Sequence, residues 1–415
     1  MSRRADSNSA PAPDPAGSDI PPNVKLFQPR ADGGEPRLDE PVERAMGLLP
    51  ATGRLTILVN DPQRHTASAG VLKQVVRRIA PGRARVLIAA GSHDTPLDAR
   101  PAFERDLLGK TPFAGVAWHD SRSDRLVPIG PRQSWRGHPW LLDCDGLLAV
   151  GSVEPHYFAG FTGAHKTATV GVAAYGDIQA NHARALEPRC RPGCLEGNPV
   201  AEGVLAMLSE LEAVRPVAAV NLVQAGAGVV AAVGGGPADA LHAAVPHAKR
   251  AFLRHLPGPA DAVVAEVTGP LSESFYQADK GIKNNEWAVR DGGLVVLAAP
   301  CPRGIGQDRF VALLREAATY RQALDVVARR GYRLGDHKAV LLRRLTDPAA
   351  RAVKVVVVSE GISARDAQVL GLAKADGVPA ALAACDVHPG ADVVCWLRDA
   401  GNLALLAGGA PGRRN

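Results

Sequence analysis

Residues Val150–Ala183 read VGSVEPHYFAGFTGAHKTATVGVAAYGDIQANHA, and this stretch constrains the chain more than any other. It follows the apolar run Gly146–Val150, whose length and composition predict a buried strand. It then sets Glu154, His156, His165, Lys166 and His182 among glycines and small residues. Gly160, Gly163 and Gly171 carry no Cβ, so they are expected to let the backbone approach a ligand closely. The pattern predicts a cofactor or metal site on a strand-to-loop edge. The bland alternative is a surface loop of mixed polarity.

Two other polar loops stand in the same relation to a strand. Arg54–Val59 (RLTILV) predicts a strand, and NDPQRHTAS then leads into a helix expected over Ala69–Ile79. A strand end feeding a helix N-terminus is a natural anion site. The planar fork of Arg64 suits a carboxylate, which it can hold through two parallel hydrogen bonds. Otherwise this loop is only a capping Asp61 and a solvated arginine. Arg83–Ala90 predicts the next strand, followed by GSHDTP with His93. Alone, that histidine reads as a cap or surface residue. Three polar loops after three strands, however, would meet at one edge of a parallel sheet. Further on, SESFYQADKGI places Gln277 and Lys280 three residues apart, on one face of a helix.

The rest of the chain predicts an α/β fold of two domains, each with a mainly parallel sheet flanked by helices and with the active site in the cleft between them. Residues 1–22, rich in Ser, Pro, Asp and Ala, are expected to be disordered. Residues 23–257 form the expected N-terminal catalytic and cofactor-binding domain. Within it, strands are expected over Phe113–His119 and Gly146–Gly151, a strand pair over Ala218–Val223 and Gly228–Val233, and a helix over Pro237–Leu256 kinked or divided at Pro246. PGPAD at 257–261 is the best linker. Residues 258–400 then alternate again. Strands are expected at Ala262–Val267, Leu294–Ala299, Val353–Val358 and Asp392–Leu397, with helices at Leu271–Val289, Phe310–Arg330 and Ala364–Lys374. The tail 401–415 is free to return to the first domain.

Composition narrows the function classes. The net charge of +6 over 415 residues lies in no long basic block and aromatics are 4%, which argues against a nucleic-acid protein. No apolar run reaches the roughly 18 residues of a spanning helix, and no signal peptide is visible, so a cytoplasmic protein without a membrane partner is expected. Six scattered cysteines fit reduced thiols; Cys190 and Cys194 have a metal-like spacing but lack a second pair.

The motif EPHYFAGFTGAHK followed by ANH resembles the nickel-pincer lactate racemase family. The likeness extends to the Asp-x-x-Arg-x-Thr loop of Asp61, Arg64 and Thr66, to the Gly-x-His of Gly91 and His93, and to the Gln-x-x-Lys of Gln277 and Lys280, covering most of the chain beyond its N-terminal tail. The resemblance implies a racemase or epimerase of a 2-hydroxy acid. It implies that Lys166 is joined through a thioamide to a nickel-pincer nucleotide (Ni-pyridinium-3,5-bisthiocarboxylic acid mononucleotide) and that His182 ligates the nickel. It makes His93 and His156 the acid/base pair, Arg64, Gln277 and Lys280 the substrate-binding residues, and Asp61 and Thr66 cofactor-binding. Implied partners are a small 2-hydroxy acid and the proteins that assemble the cofactor. Such an enzyme would work by reversible hydride transfer through a 2-keto acid, which avoids abstracting a poorly acidic α-proton. Lactate, another short or aromatic hydroxy acid, malate and a sugar acid all remain open as substrates. His65 and His165 depart from the usual family residues, and GDHKA at 335–339 adds His337 as a weaker candidate. Two alternatives stand beside this reading: a zinc hydrolase using His93, His156 and His182, and a non-catalytic binder of an organic acid or nucleotide.

Overall fold

The computed structural model describes residues 20–31, 34, 36–93, 95–226 and 228–408. Expectations for residues 1–19 and 409–415 lie outside the described residues.

Two six-stranded sheets organise the described residues. The first runs in the order Gly228–Gly235, Val217–Ala225, Gly146–Ser152, Leu55–Asn60, Ala84–Ala89, Val116–Trp118. All neighbours in it are parallel except the first two, an antiparallel hairpin. Successive residues of a strand point to opposite faces. Ile57, Val59, Val86 and Leu148 therefore pack one core, while Leu58, Leu87, Leu147 and Ala149 pack the other. Burial on both faces is why these strands read as unbroken apolar runs.

The second sheet has the order Lys25–Phe27, Val394–Leu397, Ala260–Glu266, Val289–Ala298, Lys354–Val358, Ala373–Lys374 and is parallel throughout. Its first strand corrects the expected boundary at residue 23. Lys25–Phe27 pairs with Cys395–Leu397, so the first described strand lies on the second sheet and the chain then crosses to the first. Three residues carry no periodic pattern, and their partner lies at the far end of the sequence. Near the C-terminus, Ala404–Ala407 pairs in parallel with Leu253–Leu256 as a separate two-stranded sheet.

Several helices differ from expectation in extent. Phe310–Arg330 is two helices, Asp308–Glu316 and Tyr320–Arg330. Thr319 begins the second through a reciprocal cap with Gln322, so local capping outweighs a continuing apolar period. Pro237–Phe252 is a single helix with Pro246 inside it, and its expected last turn is the strand Leu253–Leu256. The helix expected over Leu271–Val289 is confined to Phe275–Asn285 between short 3-10 turns. The helix Ala364–Leu370 stops at Gly371, which takes a left-handed conformation. Asp336–Thr346, a helix carrying His337, was not expected at all. Among the described residues no helix is long and apolar enough to cross a membrane.

For the site, one feature of this layout matters most. Gly146–Ser152, Leu55–Asn60 and Ala84–Ala89 are adjacent and parallel, so the loops after them leave the sheet side by side.

Candidate active site between the sheets

The loop after Leu55–Asn60 folds back on itself, with Arg64 N–H donating to the Asp61 carbonyl (3.1 Å) and Thr66 N–H to that of Arg64 (2.8 Å). Asp61, 2% exposed, accepts from His93 Nδ1 at 2.9 Å. That bond fixes the ring as its Nδ1–H tautomer and leaves Nε2 as an acceptor. Asp61 thus orients a histidine, where a cofactor contact was expected. Asn60 Nδ2 donates to Thr66 Oγ1 (2.8 Å), and Thr167 Oγ1 donates to Asn60 Oδ1 (2.7 Å). The Asp61–Thr66 loop is thereby tied to the residue beside Lys166.

The central block leaves the strand Gly146–Ser152, turns through a small antiparallel pair, Pro155–His156 with Gly160–Phe161, and enters the short helix Ala164–Thr167. Its glycines have a different task from the expected one. A Cβ on Gly160 would meet the Cys194 carbonyl oxygen at 2.1 Å, and one on Gly151 would meet Ala164 N at 2.5 Å. Gly160 thus admits the backbone at Cys194, and Gly151 lets the short helix that carries Lys166 lie close against its strand.

Phe158 is the common neighbour of the expected chemistry. His156 and His182 meet its ring at centroid distances of 4.5 and 4.9 Å, and Lys166 Nζ lies 5.8 Å from its centroid. Burial, followed by the charges of Arg64 and Lys280, pushes the Lys166 amine well below its usual range. Lys166 forms no side-chain hydrogen bond or ion pair among the described residues. Burial lowers His156 well below its usual value and His182 to about 3, so both rings are neutral at neutral pH. His182 Nδ1 lies 3.2 Å from Asn181 Oδ1, and Ala159 N–H donates to His156 Nδ1 over 3.3 Å.

The neighbouring histidines are placed differently. His337 has both ring nitrogens occupied, Nε2 by the Tyr157 hydroxyl (2.9 Å) and Nδ1 by that of Tyr332 (2.7 Å), so it braces the aromatic wall. His165 is buried with Nδ1 unpartnered among the described residues, and burial lowers it to about 3. Cys190 and Cys194 donate to protein oxygens, Asn198 Oδ1 and the Glu196 carbonyl among them. Among the described residues no group of three or more His, Cys, Asp and Glu side chains is arranged to hold a metal ion, so the hydrolase alternative lacks its ligand set.

Beside this buried group lies a cavity of about 540 Å³ with walls from both sheets. Gln63, Arg64 and Glu154 line it from the first sheet's loops, and Lys280, Asp399 and Asn402 from the second. Arg64 Nη1 donates to Glu154 Oε1 at 3.0 Å. Gln277 Nε2 donates across the gap to Gln63 Oε1 at 3.0 Å, and Lys280 Nζ to Asn402 Oδ1 at 3.4 Å. Burial lowers Lys280 to about 8 against the pull of Glu154 and Asp399, and raises Asp399 to about 6. Lys166, His156 and His182 do not line this cavity, but the charges of Arg64 and Lys280 act on Lys166 and His156. Glu154, Phe158, Asp399 and Asn402 were not singled out as site residues from the sequence. Glu154 stood in the block without a role, and the other three carry no local signal.

The lactate racemase N-terminal domain family matches residues 35–193, and the lactate racemase C-terminal domain family matches residues 257–397. The chain belongs to the lactate racemase family. Membership makes it an isomerase of the racemase type. The lactate racemase of Thermoanaerobacterium thermosaccharolyticum is 28% identical over 317 residues, 71% of each chain. That of Lactiplantibacillus plantarum is 27% identical over 315 residues, 70% of this chain and 71% of the relative. The lactate racemase apoprotein structure from the former organism superposes with a TM-score of 0.78 at 23% identity, covering 93% of this chain and 96% of that one. A crystal structure of a Thermotoga maritima protein gives 0.73 at 16% identity, over 92% and 100%. At these identities the structures show the shared fold.

The residues present are compatible with the nickel-pincer nucleotide that the sequence resemblance implies. A lysine whose charged form is disfavoured, and whose amine has no hydrogen-bond or ion-pair partner among the described residues, is suited to being joined to an acyl-type carbon. A neutral imidazole is the form that ligates nickel. Nickel held by His182 would have to take its other donors from the nucleotide, since no group of three or more His, Cys, Asp and Glu side chains stands ready among the described residues.

Proposed function

We propose that the chain racemises or epimerises a 2-hydroxy acid in the cleft between its domains, with Lys166 as covalent anchor of a nickel-pincer nucleotide and His182 as the protein ligand to nickel. The observation that carries this reading is Lys166 itself, a half-buried amine whose charge is disfavoured by desolvation and which has no hydrogen-bond or ion-pair partner among the described residues, beside the loops that hold His93 and Arg64. The relatives are named lactate racemases, which makes lactate the first substrate to try. When bound, the nucleotide would supply an electron-poor ring carbon able to exchange hydride with the substrate α-carbon.

The protein's own residues do the rest. Arg64 and Lys280 bring positive charge to one cavity from opposite walls and would hold the substrate carboxylate. Gln277, already bonded to Gln63, would add a directional hydrogen bond once the substrate displaces that contact. His93, its tautomer set by Asp61, presents Nε2 to take the hydroxyl proton. His156, kept neutral by burial, would serve the opposite stereoisomer. Thr66, fastened through Asn60 to Thr167, would align the loop against the cofactor. The same reading implies a cytoplasmic enzyme loaded by cofactor-assembling proteins.

The test is intact and peptide mass spectrometry with nickel analysis, on protein made in a host that assembles the cofactor. The Lys166 peptide is expected to carry the added mass, and Lys166→Ala to lose it. An adduct on another residue, or none in such a host, overturns the assignment.

A further inference from the structure

Glu154 is held at its backbone by Thr162 and at its carboxylate by Arg64. Its backbone N–H donates to Thr162 Oγ1 (3.0 Å), and its carbonyl accepts from Thr162 N–H (2.9 Å). The residue is 8% exposed, and its Oε1 accepts from Arg64 Nη1 at 3.0 Å. A guanidinium has five N–H donors in a fixed fork. Glu154 engages one edge of Arg64, and the remaining donors make no hydrogen bond among the described residues. The fork is thus anchored at one end and open at the other, on the wall of the cavity.

A second acid completes the pattern. Asp399 lines the same cavity beside Lys280 and is held by Asn402 Nδ2 at 3.0 Å. Its backbone φ of +54°, unusual for a residue with a Cβ, marks a position set by the surrounding fold. One incoming carboxylate would find Arg64 and Lys280. A second carboxylate on the same small molecule would find Glu154 and Asp399, two like charges in a partly dehydrated space.

We propose that Glu154 is a positioning residue that aims the open edge of Arg64 at the substrate, and that with Asp399 it biases the cavity toward 2-hydroxy acids carrying a single carboxylate. This rests on the reading of Arg64 as the carboxylate anchor. It deepens that reading by setting malate-like substrates apart from lactate-like ones.

Calorimetric titration of the full chain with glycolate, a monoanion, and tartronate, its dianionic counterpart, tests both parts. Wild-type protein is expected to favour glycolate by about tenfold, the scale of one like-charge contact at about 4 Å in a nearly water-like dielectric. Glu154→Gln keeps the shape and the Oε1 acceptor but removes the charge. It is expected to shrink that preference by strengthening tartronate binding. Glu154→Asp restores the charge and is expected to restore the preference, which a merely structural role would not do. An unchanged glycolate-to-tartronate ratio in Glu154→Gln, or an equal loss for both anions, overturns the proposal while leaving the Arg64 reading intact. If Arg64→Ala binds glycolate as well as wild type, or wild type binds neither anion, the carboxylate assignment fails and this proposal fails with it.

Discussion

On the first-sheet side of the cavity, the side chains are fastened to one another. His93 is bonded to Asp61, Arg64 to Glu154, and Thr66 through Asn60 to Thr167, while His156, Lys166 and His182 crowd one phenyl ring. On the second-sheet side, Gln277 and Lys280 stand on a single helix, Phe275–Asn285, and reach out through bonds of 3.0 and 3.4 Å to Gln63 and Asn402. The difference separates two kinds of work. Groups that must meet a reacting atom in one geometry are held by several neighbours. Groups that grip a substrate on arrival hold exchangeable partners until it comes.

On the proposed reading, damage to the two acid/base histidines of the first wall falls on turnover. His93→Ala and His156→Ala are each expected to lower racemisation by about 10²–10⁴-fold, the usual contribution of one acid/base group. In wild-type protein, substrate deuterated at the α-carbon should give product of inverted configuration that keeps its label. Rapid loss of deuterium to water would show that these histidines abstract the α-proton themselves. Damage to the second wall falls on binding instead. Lys280→Ala is expected to weaken substrate binding by about 2–5 kcal/mol, the scale for truncating one member of a buried charge contact. An equal effect on kcat with binding unchanged would erase the distinction.

A pH titration sharpens the comparison further. Burial holds Lys280 at about 8, so its positive charge is present below that pH and is lost as pH rises through it. Binding of the hydroxy-acid anion should therefore weaken above about pH 8, and Lys280→Arg should flatten that limb, because arginine stays charged. The smallest expected effect is at Gln277. Its bond to Gln63 is neutral and exchangeable, so Gln277→Ala should cost about 1 kcal/mol in binding, read as a rise in KM with kcat nearly constant.

The two walls were also unequally legible in the sequence. Apolar runs such as LTILV and LLAV gave away the buried parallel strands, and the family resemblance of the polar loops after the strands implied roles for Asp61, Arg64, His93 and His156. Those signals are local: a strand, then a loop, then a helix. Asp399 and Asn402 come from a turn after Val394–Leu397 whose only distinction is a positive φ, which the letters DAGN do not announce. Phe158 read as an ordinary apolar residue, because its role depends on which rings surround it. The break at Thr319 was hidden because the apolar spacing continues across it, while the cap that decides it is a single reciprocal pair of side chains. Lys25–Phe27 was assigned to the wrong sheet for a related reason. Strand partners far apart in sequence leave no mark on three residues.

The double passage of the chain between the sheets has a mechanical consequence. Near the crossing, Arg30 N–H donates to the Ala251 carbonyl (2.9 Å) and Arg254 Nη2 to the Gln28 carbonyl (3.1 Å), so the outgoing and returning strands run side by side, laced together. The parallel pair Leu253–Leu256 with Ala404–Ala407 adds a third thread beside them. A single thread would act as a swivel. Several threads bound along one line act as a door hinge, soft to bending about that line and stiff to torsion across it. On the proposed reading, such a joint would let the lobe bearing Lys280 and Gln277 swing while preserving the lateral alignment of Lys280 with Arg64.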